Sequence, residues 1–191
     1  MMSRTAYAVC LCTVLLAAGA SGGLLQNASF EQDFGAREDM NMWGDYGDAF
    51  GQAYQVVAGQ GGYAKKAYGG ERMLVVNVLP ASWNGAWQQI PMDAGKPYAF
   101  TGRYLIKGGD LPANCVTFLK IEFYDESDQM IEAVEGDKLR VDTQGQWVET
   151  AMRGQTPAGT RSVRFVVIAG DNAGNEALVD RIFWDDVDVT D

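Results

Sequence analysis

From residue 24 onward, apolar side chains recur at every second position, in short runs closed by Gly, Asp, Asn or Pro. No stretch carries the three-to-four spacing of an amphipathic helix. The pattern confines the chain to sheets. It predicts strands over Met73–Leu79, Ala86–Met92, Tyr98–Lys107, Val116–Tyr124, Ser162–Ala169 and Arg181–Val189, with shorter ones at Leu24–Phe30, Ala53–Val57 and Trp147–Arg153. Ile131–Val134 reads either as a further short strand or as a helical turn. Parallel strands need crossover connections of roughly a dozen or more residues, so strands without intervening helices must pair antiparallel. The expected fold is an all-β, antiparallel β-sandwich. Periodicity alone does not separate a jelly roll from an immunoglobulin-like strand order.

The N-terminus reads as a secretory signal over residues 1–20. Arg4 supplies the positive charge, Tyr7 to Ala18 the apolar run, and Ala18-Gly19-Ala20 the small-x-small cleavage site. The run is short for a membrane span and ends in Gly and Ser rather than a basic stop. A secreted protein, periplasmic or extracellular, with no membrane span after cleavage is therefore expected. Residues 21–191 form one domain, since no Pro- or Ser-rich linker divides them. Cys10 and Cys12 leave with the signal. Cys115, beside Val116 and Phe118, reads as a small buried residue.

Charge narrows the chemistry. With 15 Lys+Arg against 25 Asp+Glu, the net charge of −10 argues against nucleic acid as a partner. The chain has no histidine, which removes imidazole acid–base chemistry and zinc sites built on imidazole.

Three separated stretches resemble the CenC-type carbohydrate-binding modules. Leu25-Gln-Asn-Ala-Ser-Phe-Glu31 is similar to that family's opening N-x-x-F-E. Gln88-Gln-Ile-Pro-Met-Asp-Ala-Gly-Lys-Pro-Tyr98 is similar to its Q-x-V-x-L-x-x-G-x-x-Y before a long strand. Pro157-Ala-Gly-Thr160, leading through Val163-Arg-Phe-Val-Val167 to Phe183-Trp-Asp-Asp-Val187, is similar to its D-D-V closing strand. The resemblance spans nearly the whole mature chain. It implies a jelly roll (galactose-binding-like) with a structural calcium, a sugar-binding groove and no catalytic activity of its own. Family members usually accompany a glycoside hydrolase; here signal and module are expected to account for the chain, as a stand-alone form.

The closing strand adds a physical argument for the metal. Strict alternation places Phe183, Asp185, Val187 and Val189 on one face, expected to be the core face. A carboxylate there is costly unless a cation or hydrogen-bond donors neutralise it. Glu31 is brought to the same spot by the resemblance. Calcium held by Glu31 and Asp185 is expected, with the Ser29 carbonyl as an addition and Asp186 as substitute should the register differ by one. The competing reading leaves Asp185 half solvated at a strand edge beside a Lys or Arg.

A sugar ring offers apolar faces rimmed by hydroxyls, so its binder needs flat aromatic rings beside planar polar groups. With Tyr98, Phe100, Tyr104 and Ile106 taken inward, Arg103 points outward. The same parity turns Lys120, Glu122 and Tyr124 outward on their strand, Arg164 on another, and Gln89 with Trp87 on a third. These side chains are expected to line one groove, with Trp83 and Trp87 at its end and Trp43 and Tyr46 at the rim. For the charges alone, cross-strand ion pairs on a solvated face compete with this reading. Trp147 and Trp184 are assigned to packing.

The expected function is that of a secreted, non-catalytic binder of a plant- or cell-wall-type polysaccharide, acting alone or beside a separate glycoside hydrolase. Two alternatives stand. One is a glycosidase using Glu122 with Asp125 or Glu126; the other is a structural or adhesive surface protein of the same fold.

Overall fold

A computed structural model describes residues 23–32, 42–48, 51–61, 63–64, 66–171 and 177–191. The secretory signal expected over residues 1–20 lies outside them. Ten strands form: β1 (Gly44–Gly47), β2 (Ala53–Val57), β3 (Arg72–Val76), β4 (Trp83–Pro91), β5 (Pro97–Ile106), β6 (Cys115–Tyr124), β7 (Met130–Glu135), β8 (Val148–Gln155), β9 (Ser162–Asp171) and β10 (Ile182–Thr190). Among the described residues there is no helix. The first sheet has the order β1-β4-β9-β6-β7 and the second β2-β3-β10-β5-β8. All pairings are antiparallel. The two sheets pack face to face as a jelly-roll sandwich.

The core between the sheets is built from one parity of each strand. Leu119, Ile121 and Phe123 of β6 and Phe165 and Val167 of β9 meet Phe100, Ile106, Trp184, Val187 and Val189 from the second sheet. Phe100 and Phe165 touch across the gap, edge to face, with ring centroids 5.1 Å apart.

The second sheet is also apolar on its other side. Met73, Val75, Leu105 and Phe183 are buried there together with Val56 and Ala64, with Tyr63, Ala67 and Trp147 packed against them. Residues 63, 64 and 66–69 therefore lie over this sheet like a third layer.

Two expectations change and one open alternative is resolved. Leu24–Phe30 is a turn rather than a strand: Asn27 and Phe30 adopt positive φ (49° and 56°), and the segment touches β10 through Leu24 N to Val189 O and Val187 N to Ala28 O, both 2.8 Å. Ile131–Val134 belongs to strand β7. Strict alternation in β10 also fails. A bulge between Asp185 and Asp188, with Asp186 at φ 48°, inserts one residue against β5. Ile182, Trp184, Val187 and Val189 consequently point between the sheets, while Phe183 and Asp185 point to the opposite side. Asp185 is fully buried, but under the 68–72 segment rather than in the main core.

Candidate functional site

The outward face of the first sheet collects side chains from four strands, and the register places them. Glu122 on β6 lies opposite Arg164 on β9, which lies opposite Gln89 on β4. One step along, Lys120 lies opposite Val166, Val166 opposite Trp87, and Trp87 opposite Gly44 on β1. Tyr46 and Tyr124 take the same parity on their own strands.

Glu122 is the hub of a polar network and is only 3% exposed. Its Oε1 accepts from Tyr46 Oη at 2.6 Å and lies 2.7 Å from Lys120 Nζ. Its Oε2 accepts from Tyr124 Oη at 2.7 Å and Arg164 Nη1 at 3.4 Å. Lys120 Nζ also donates to Tyr46 Oη at 2.8 Å. Arg164 extends the network sideways, its Nε and Nη2 donating to Gln89 Oε1 at 3.3 and 3.0 Å. Gln89 Nε2 in turn donates to Ser162 Oγ at 2.8 Å. The Arg164 guanidinium stands 4.3 Å from the Trp87 ring centroid and 4.7 Å from that of Tyr124.

Burial alone would push the Glu122 carboxyl up. Hydrogen bonds from Lys120, Tyr46 and Tyr124, with the Lys120 charge, outweigh it and hold the pKa below the ordinary value. Burial would lower Lys120, yet its contacts with Glu122 and Tyr46 raise it. Tyr124 is raised, by burial first and then by Glu122. Around neutrality the site holds a carboxylate, an ammonium and two neutral phenols, all pre-oriented.

Beside this polar half lies an apolar one. Val116, Phe118, Val166 and Ile168 are buried on the same face beneath Tyr46, Trp83 and Trp87. Trp83 meets Phe118 edge to face at 5.7 Å. Each indole lies across a glycine on the neighbouring strand. A β-carbon at Gly44 would sit 2.3 Å from Trp87 Cε2, and one at Gly170 would sit 2.1 Å from Trp83 Cε3. Trp87 is also fixed by its Nε1, which donates to Asp45 O at 3.0 Å. Tyr46, Trp83, Phe118, Lys120 and Glu135 bound a cleft of about 380 Å³ on this face.

Eight of the residues singled out in the sequence thus share one face: Tyr46, Trp83, Trp87, Gln89, Lys120, Glu122, Tyr124 and Arg164. Two do not. Arg103 has the predicted outward parity, but β5 belongs to the second sheet, so outward there is the far side of the molecule. It pairs with Glu149 at 2.5 Å and stacks on Tyr68 at 4.6 Å. Trp43, expected at the rim, is 4% exposed and packs on Phe30 at 5.1 Å, its Nε1 donating to Asn27 O at 3.3 Å. Trp184 and Trp147 pack as expected. Phe118 and the glycines at 44 and 170 were missed. Phe118 shares parity with Lys120, so alternation pointed to it; nothing in the sequence marked the glycines.

Glu31 and Asp185 meet over one segment. Asp185 Oδ2 accepts from Tyr68 N and Gly69 N at 2.7 and 3.0 Å, and Oδ1 accepts from Asp186 N at 2.7 Å. Glu31 Oε1 accepts from Glu71 N and Arg72 N at 3.0 and 2.8 Å. A β-carbon at Gly70 would strike the Glu31 carboxyl carbon at 2.3 Å, so the backbone there closes tightly on that carboxylate. The amides do not fully compensate burial: desolvation, with a smaller push from the Glu31 charge, raises the Asp185 pKa to about 7. Two hard oxygen donors with residual negative charge suit a divalent cation such as calcium. Among the described residues no third acidic, His or Cys side chain joins them, so carbonyl oxygens or water would have to complete such a site.

No protein-family model matches the chain, and no curated protein matches it in sequence. Solved structures match its fold. The xylan-binding domain from carbohydrate-binding module family 22 aligns with a TM-score of 0.57 at 22% identity, over 90% of this chain and 96% of that one. TmCBM61, solved in complex with β-1,4-galactotriose, aligns at 0.55 and 17% identity over 89% and 99%. The C-terminal family 22 module of Clostridium thermocellum Xyn10B aligns at 0.53 and 24% identity over 85% and 90%. At these identities the likeness shows a shared fold: the all-β jelly-roll sandwich of carbohydrate-binding modules.

Proposed function

We propose that the chain is an exported, non-catalytic carbohydrate-binding protein of CenC type, and that a polysaccharide chain lies along the outward face of the first sheet. One observation carries the reading. Half-buried Trp87 and Trp83 supply flat apolar surface directly beside a pre-oriented carboxylate, ammonium, guanidinium and amide. That pairing matches the two-sided chemistry of a sugar ring. Because the polar groups already hold one another, little side-chain freedom is lost on binding. A neutral cell-wall chain is the ligand class, since Glu122 would repel an anionic one. Calcium held by Glu31, Asp185 and nearby carbonyl oxygens would neutralise the buried acids and fasten the opening turn to β10.

The state of Glu122 argues against one role in the hydrolase reading, that of general acid. A general acid needs a carboxyl kept protonated near neutrality, whereas four donors hold this one ionised. The test is electrophoresis through gels containing xylan or β-1,4-galactan. Wild type should be retarded in at least one gel, and Trp87→Ala and Arg164→Ala should migrate as in a gel without polysaccharide. Equal mobility of wild type with and without a panel of neutral polysaccharides would remove the proposal.

A further inference from the structure

A second cleft lies on the opposite side of the sandwich, over the outer layer of the second sheet. Its volume is about 960 Å³, and Tyr63, Lys66, Tyr68, Lys107, Gln146 and Trp147 are among the residues that line it. One wall is formed by residues 63, 64 and 66–68 and the other by the turn leading into β8. Trp147 spans the two, its indole Nε1 donating to Lys66 O at 3.0 Å. Tyr68 is held from both ends: its amide donates to buried Asp185, and the Arg103 guanidinium stacks on its ring at 4.6 Å. Tyr68 is nonetheless 47% exposed and lines the cleft, so a fixed aromatic residue is open to a guest there. Lys107 Nζ stands 5.0 Å above the ring of buried Phe183.

The charge of this cleft runs against that of the protein. The chain carries −10 overall, yet the described lining residues include two lysines and no carboxylate. Aromatic faces, an amide and two ammonium groups lining one cleft suit a sugar that bears a carboxylate. We propose that this cleft is a second, independent binding site for uronic acid residues, the ring stacking on Tyr68 and Trp147 and the carboxylate reaching Lys66 and Lys107. The choice of a sugar rests on the carbohydrate-binding reading above; the separateness of the cleft does not.

Titration calorimetry with hexagalacturonate, a glucuronate-substituted xylotriose and neutral xylohexaose tests it, using wild type, Tyr68→Ala, Lys66→Ala and Arg164→Ala. Tyr68 and Lys66 are exposed, and a melting curve checks that both variants remain folded. One or both uronates should bind wild type, more weakly at high salt, and lose about tenfold in affinity in Tyr68→Ala and in Lys66→Ala. Which uronate binds identifies the source of the carboxylate. Arg164→Ala should leave uronate affinity unchanged while abolishing any xylohexaose binding. Xylohexaose binding with no uronate binding overturns the second cleft and spares the first site. Uronate binding without xylohexaose binding, if lost in Tyr68→Ala, keeps the second cleft and counts against the first. Uronate binding lost in Arg164→Ala but kept in Tyr68→Ala also overturns the proposal, as does binding of neither uronate to wild type.

Discussion

The indole of Trp184, fully buried on β10, donates its Nε1 hydrogen to Thr117 Oγ1 on β6 at 3.0 Å, joining the two sheets through the middle of the core. The hydroxyl passes its own hydrogen on to Ile168 O at 2.8 Å. Thr117→Val keeps the shape and removes the acceptor, stranding a buried donor. It should cost roughly 1–3 kcal/mol, read as a lower urea midpoint at unchanged m-value.

Trp43 belongs to the core, and Trp43→Ala should show it. A loss of about 3–5 kcal/mol in stability is expected with polysaccharide retention unchanged at temperatures where the variant is folded. Selective loss of binding in a fully stable variant would return Trp43 to the sugar site.

Arg103 and Arg164 give a matched pair of tests. Both have outward parity, but on opposite sheets. Arg164→Ala should abolish retention in the polysaccharide gel, while Arg103→Ala should migrate like wild type. The reverse result would mean that the ligand lies on the other side.

The pH dependence of the Glu122 network follows from its lowered pKa. The ordinary value is 4.5, and the folded value lies below it, so the stabilisation is full above about 4.5 and is lost as pH falls through the lower folded value. Lys120, raised from 10.5, contributes stability below that value and loses it as pH rises further. The stability gap between wild type and Glu122→Gln should be flat around neutrality and narrow only as pH falls below 4.5, measured by chemical unfolding at each pH.

Chelation reads the proposed cation site. With calcium at about 100 times its dissociation constant, stripping it should lower the melting temperature by roughly 5–10 °C. Asp185→Asn and Glu31→Gln should each remove the response. An unchanged melting curve with and without chelator would discard the metal.

Alternation alone was enough to find most of the strands and the parity of β4, β5 and β6. It missed β1, whose Gly-Asp-Tyr-Gly sequence is poor strand material and is held by pairing with β4. It also could not tell which sheet each strand enters, because parity is a property of one strand and sheet membership a property of long-range pairing. Arg103 was misplaced for that reason alone. Asp185 was expected to be buried and is, but by a different route. A single left-handed residue at 186 reverses the phase of β10, and no local periodicity announces a bulge. Trp43 lies in polar, glycine-rich sequence, and its burial depends on Phe30, distant along the chain.

The glycines beneath Trp83 and Trp87 set the height at which those rings lie. A methyl group at position 44 or 170 would never reach a bound molecule, yet it would lift an indole away from the sheet and reshape what can rest on it. Selectivity on the proposed binding face would therefore be adjustable from underneath, by the smallest residues in the chain.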